Sequence, residues 1–78
     1  MAAKHNHTSI LVFRTNIRFK KDLRKIAGIL EPVESIITWN VDREDIDNVL
    51  RIEAKNLDTI EVNRIIQQAG YLCEELPD

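Results

Sequence analysis

The side chains in this chain that could hold a metal or act as a nucleophile are few: one cysteine, Cys73, and two histidines, His5 and His7. Histidines two positions apart could ligate a transition metal. These two stand in Met1–Thr8, a polar stretch without apolar period that reads as a disordered tail, where imidazoles are ordinarily solvated. An amino-terminal copper site would need histidine at position 3, which is Ala3. A single thiol excludes an internal disulfide and a zinc site built on paired cysteines of one chain. It suits a reducing compartment, and in the last strand Cys73 reads as a small packing hydrophobe. Across a symmetric homodimer two copies of Cys73 could approach.

Nothing in the pattern calls for catalysis. No cysteine–histidine or serine–histidine–acid arrangement falls inside an expected element, and the two glycines form no phosphate-cradling loop. The chain is therefore expected to be non-enzymatic and to need no cofactor. The acidic stretch Asp42-Arg43-Glu44-Asp45-Ile46-Asp47-Asn48 raises the question of calcium. It lacks the central glycine and the closing glutamate that wrap the ion in an EF-hand, and reads as a solvated turn.

Charge is the stronger signal. Between Arg14 and Lys25 lie six cations, Arg14, Arg18, Lys20, Lys21, Arg24 and Lys25, against one anion, Asp22, a local balance of +5. The formal net charge of −2 leaves −7 for the remaining residues, so one part of the molecule is basic and the rest acidic. Such a run can be simply the wet face of a helix. As a functional surface it would attract an acidic protein. Nucleic acid ranks behind that, because the aromatic-rich signature of RNA-recognition sheets is absent, and Tyr71 and Trp39 read as core or rim aromatics.

The elements that must position these groups follow from periodicity. At 78 residues the chain is one domain, over residues 9–76. Ser9–Thr15 contains Ile10, Leu11, Val12 and Phe13, a run suited to a central strand. Phe19, Leu23, Ile26, Ala27 and Leu30 then fall at helical spacing, with Thr15 or Asn16 available as a cap and Pro32 beyond the end. Ile37, Trp39 and Val41 alternate with Thr38, Asn40 and Asp42, and Leu50, Ile52 and Ala54 repeat the pattern, giving a hairpin of Ile36–Val41 and Val49–Ile52. Asp58-Thr59-Ile60-Glu61 has the form of a capping box before Val62, Ile65, Ile66 and Ala69, and Gly70 ends that helix. Tyr71–Leu76 is expected as a short fourth strand. No apolar run approaches the roughly 18–20 residues of a membrane span, so no membrane partner is expected and the chain reads as cytoplasmic. The order βαββαβ with right-handed crossovers predicts an α+β ferredoxin-like sandwich, a four-stranded antiparallel sheet with two helices on one face.

Within that order, Thr15-Asn16-Ile17-Arg18-Phe19, the helix with Leu23, Ile26 and Leu30, Pro32-Val33-Glu34-Ser35-Ile36, Val41-Asp42, Val49-Leu50-Arg51-Ile52 and Ile65-Ile66-Gln67-Gln68-Ala69-Gly70-Tyr71 together resemble the heavy-metal-associated domain. That family includes copper chaperones and the N-terminal modules of metal-transporting ATPases. The resemblance runs from about Ser9 to Leu76. It implies a Met-x-Cys-x-x-Cys loop after the first strand, where two thiolates grip a soft ion. Aligned through Thr15, the methionine position is Arg14 and the cysteine positions are Asn16 and Phe19, so no thiol remains there. The strand beginning near Ile36 is also one residue longer than the family's pattern. Three functions follow as expectations. The first is an interaction module that has lost its metal site and docks an acidic protein surface through Arg14, Arg18, Lys20, Lys21, Arg24 and Lys25, as lysines beside the metal loop do in similar chaperones. The second is a metal carrier using His5, His7 or Cys73, and the third is nucleic-acid binding.

Overall fold

The computed structural model describes residues 8–76. His5, His7 and the tail expected to be disordered lie outside the described residues, except that Thr8 is already paired. The order is β1 (Thr8–Thr15), α1 (Lys20–Leu30), β2 (Ile36–Asp42), β3 (Val49–Lys55), α2 (Thr59–Gln68) and β4 (Cys73–Glu75). Thr8 sits opposite Lys55 in the ladder, which moves the first strand one residue earlier than its apolar run suggests. The strands form one antiparallel sheet in the order β2-β3-β1-β4, the α+β ferredoxin-like arrangement.

Alternation explains which face is covered. Leu11 and Phe13 of β1, Leu50, Ile52 and Ala54 of β3, and Cys73 of β4 point to one side, where Ile26 and Leu30 of α1 and Val62 and Ile66 of α2 close over them. Both helices thus cover the same face. Ile10, on the opposite face, stays more than half exposed, so the double-sided apolar run of β1 is only half used.

β2 carries one residue more than its partner β3 can pair. Ile36 pairs with Ala54 and Thr38 with Glu53, so Ile37 is an extra residue, a β-bulge on the sheet's edge strand. Ile36, rather than Ile37, therefore joins Trp39 and Val41 against the core, and Ile37 is 49 % exposed. The extra residue is absorbed without turning Trp39 and Val41 away from the core.

Helix α2 starts as expected, with the Asp58 carboxylate accepting from the Ile60 N–H at 3.4 Å. The return bond of a capping box, from Glu61, is not formed among the described residues. The helix ends in a Schellman motif: the Gly70 N–H donates to the Gln67 carbonyl at 2.9 Å and the Tyr71 N–H to the Ile66 carbonyl at 3.3 Å, with Gly70 at φ +97°.

Candidate functional site

The basic segment between β1 and α1 is held by side chains that sequence periodicity assigns to other tasks. Thr15 and Asn16 do not cap α1. Phe19 occupies the N-cap, and Asp22, three residues on, reaches back so that its Oδ2 accepts from the N–H of Phe19 at 3.0 Å and of Arg18 at 3.3 Å. Phenylalanine has no side-chain acceptor for the first-turn N–H groups, so only the return half of a capping box is made, the carboxylate of the first turn accepting from the Phe19 and Arg18 N–H groups. Thr15 is buried, its hydroxyl donating to the Asn48 carbonyl at 2.6 Å and accepting from the Ile17 N–H at 3.1 Å. Asn16 Oδ1 accepts from the Leu72 N–H at 2.9 Å and so ties this segment to the one between α2 and β4.

The acidic β2–β3 turn is likewise stapled in place. The Thr15 N–H donates to the Asp47 carbonyl at 2.9 Å, Arg14 lies 3.4 Å from the Asp47 carboxylate, and Arg43 Nη1 donates to the Arg18 carbonyl at 3.3 Å. Asn48 holds φ 44°, a left-handed conformation that asparagine accepts more readily than most residues. Three loops, β1–α1, β2–β3 and α2–β4, thereby meet at one end of the sheet.

The six cations fall into two groups. Arg14 is engaged, with Asp47 at 3.4 Å and Glu74 at 3.7 Å. Arg18, Lys20, Lys21, Arg24 and Lys25 are exposed, and among the described residues none has a carboxylate within 4 Å of its charged nitrogens. Two lie over aromatic rings instead: Lys21 Nζ is 5.9 Å from the centre of the Phe19 ring and Lys25 Nζ 5.6 Å from that of Tyr71. Phe19 and Leu72 expose about half of their surfaces at the same end.

The resemblance implies a soft metal ion at the β1–α1 loop, and the residues present do not fit one. Asn16 Oδ1 is already an acceptor for a backbone N–H, and Phe19 offers only hydrocarbon. Cys73 pairs with Thr15 in the ladder but faces the core, 1 % exposed, and burial pushes its thiol up to about 11. Among the described residues no three histidine, cysteine, aspartate or glutamate side chains gather in a way that could hold a metal.

Sequence reasoning placed the cations but missed Asp22 and Tyr71 as their organisers. The Tyr71 hydroxyl donates to Asp22 Oδ1 at 2.8 Å. An aspartate three residues after the loop's last residue was the available sign. Its tyrosine partner, distant in sequence, left none.

Comparison with known proteins adds no relative: no family model, curated protein or solved structure matches the chain. Among the described residues no helix is long and apolar enough to cross a membrane.

Proposed function

We propose that this chain is a non-enzymatic interaction module, a domain like the heavy-metal-associated type that has lost its two-thiolate site and docks an acidic protein surface. The observation that carries this reading is the set of five exposed cations, Arg18, Lys20, Lys21, Arg24 and Lys25, without an intramolecular carboxylate partner among the described residues. An exposed cluster without ion pairs attracts anions over about 8 Å at physiological ionic strength. It also steers an acidic partner toward productive encounters. The backbone of the cation-bearing segment is held by the Asp22 and Asn16 bonds, so binding has mainly the cationic side chains left to order. Arg14, held by Asp47 and Glu74, contributes more to the shape of the surface than to its free charge.

The test is affinity capture with the full chain, followed by binding measurements on each captured protein with wild type and with the variant Lys20→Glu, Lys21→Glu, Arg24→Glu, Lys25→Glu. The module reading expects acidic proteins whose binding is lost in the variant and weakens with salt. Binding that survives the reversal unchanged would remove the reading.

A further inference from the structure

One end of the molecule carries both halves of a complementary pair. The β1–α1 segment presents Arg18, Lys20 and Lys21 around Phe19, which is 59 % exposed. Leu72, 52 % exposed, is tied to that segment by its N–H bond to Asn16. Beside it, the end of β2 and the β2–β3 loop present the exposed carboxylates of Asp42, Glu44 and Asp45 near Ile46, which is 93 % exposed.

The backbone around this apolar tip is hydrogen-bonded within the loop. Asp42 Oδ1 accepts from the Glu44 N–H at 3.1 Å, Asp45 Oδ1 from the Asp47 N–H at 2.8 Å, and the Asp45 carbonyl from the Asn48 N–H at 2.9 Å. The base of the loop is bonded to Thr15 and to the Arg18 carbonyl. An isoleucine exposed in water on a loop whose backbone is already bonded gains by burial and loses mainly side-chain freedom on docking.

Among the described residues the two halves form no ion pair with each other through Arg18, Lys20 or Lys21: no loop carboxylate comes within 4 Å of them. They lie side by side, which is the arrangement a two-fold axis passing between them requires: rotation sets the basic patch of one copy on the acidic loop of the other, and the reverse. We infer that the occupant of the basic surface is a second copy of this chain, docked in an isologous homodimer with Ile46 of each copy seated against Phe19 and Leu72 of the other. The inference rests on the basic surface being a docking surface and names what docks there. The acidic loop has the composition that surface selects, carboxylates flanking one apolar anchor, with Ile46 at the centre of each contact and the charges at its rim.

The experiment is sedimentation of the full chain from micromolar to millimolar concentration, at physiological and at high salt, with variants at exposed positions whose folding is checked by amide spectra. A dimer is expected that weakens in high salt and loses affinity by about tenfold or more in Ile46→Ser, the scale of an interface anchor. Lys20→Glu with Lys21→Glu, and separately Glu44→Lys with Asp45→Lys, should each be monomeric. Their equimolar mixture should dimerise again, because each contact then joins opposite charges. A wild type that stays monomeric, higher oligomers in place of a dimer, a dimer unmoved by Ile46→Ser, or a mixture that stays monomeric would each overturn the inference. If wild type is monomeric while the charge reversal still abolishes binding of an acidic protein, self-docking alone fails and the docking surface stands.

Discussion

The Tyr71 hydroxyl donates a 2.8 Å hydrogen bond to Asp22 Oδ1, joining residues 49 positions apart. The other oxygen of the same carboxylate holds the N–H groups of Phe19 and Arg18. One aspartate therefore starts α1, sets the course of the basic loop and anchors the segment after α2. Lys25 completes the arrangement from above the Tyr71 ring. The single anion of the basic stretch is what organises it.

Acid should act on this aspartate. The hydrogen bond from the Phe19 backbone, followed by that from Tyr71, holds the Asp22 carboxyl below its ordinary value of 3.8. A depressed folded-state value means that the stabilisation is fully present above the unfolded value and is lost as pH falls through the folded one. Urea unfolding across an acidic pH series should show wild type losing stability below about pH 4 more steeply than Asp22→Asn. Identical slopes would mean that these bonds do not contribute.

Tyr71 has the opposite linkage. Burial, then the bond to Asp22, raises its phenol above the ordinary 10.0, so the folded state favours the neutral form. Its contribution is present below the unfolded value and is lost as pH rises from there through the folded value. Tyr71→Phe should flatten the alkaline limb of the stability profile, with ultraviolet titration of the phenolate as an independent readout.

Cys73 should be inert in the folded protein. It is 1 % exposed, and burial pushes its thiol up to about 11. Modification by a thiol reagent should therefore track global unfolding and slow further in stabilising conditions. Titration of the reduced protein with Cu(I) or Zn(II) should leave the Cys73 amide shift unmoved. Cys73→Ser, which buries a hydroxyl among apolar side chains, should destabilise by about 1–3 kcal/mol.

The two glycines should respond with opposite signs to the same change. Gly28 lies inside α1 with nothing within 4 Å of where a Cβ would sit, so Gly28→Ala should stabilise by about 0.5–1 kcal/mol. Gly70 has the same open space but sits at φ +97°, and Gly70→Ala should cost about 1–2 kcal/mol. Chemical denaturation of both variants distinguishes the cases.

The element order was legible because each element keeps a clean period, such as Leu50, Ile52 and Ala54 on β3 or Val62 and Ile66 on α2. The cations were legible as a cluster for the same local reason. What could not be read were bonds between distant segments that compete with local rules. Asn16 resembles a cap yet spends its side-chain carbonyl on Leu72, and Phe19 stands at an N-cap where Asp22 reaches back to its N–H although it offers no side-chain acceptor itself. The acidic turn looked merely solvated, whereas its backbone and Arg43 bind the β1–α1 segment. Ile37 was placed inward by strict alternation, which holds only until a bulge adds a residue.

That bulge gives a deletion test with two unlike outcomes. Removing Ile37 leaves Ile36, Thr38, Trp39, Asn40 and Val41 in regular alternation, with Ile36, Trp39 and Val41 still facing the core. The exposed extra residue contributes little packing, so its deletion should change stability by less than about 1 kcal/mol. Removing Asn40 also shortens β2 by one residue but turns Trp39 outward and brings Thr38 in, because side chains alternate strictly along a strand. Loss of the Trp39 contacts should cost at least about 2 kcal/mol. Trp39 fluorescence should then shift toward that of a solvated indole in the second deletion and stay near wild type in the first. If both deletions behave alike, β2 can slip its register freely, and the bulge does not set which face Trp39 occupies.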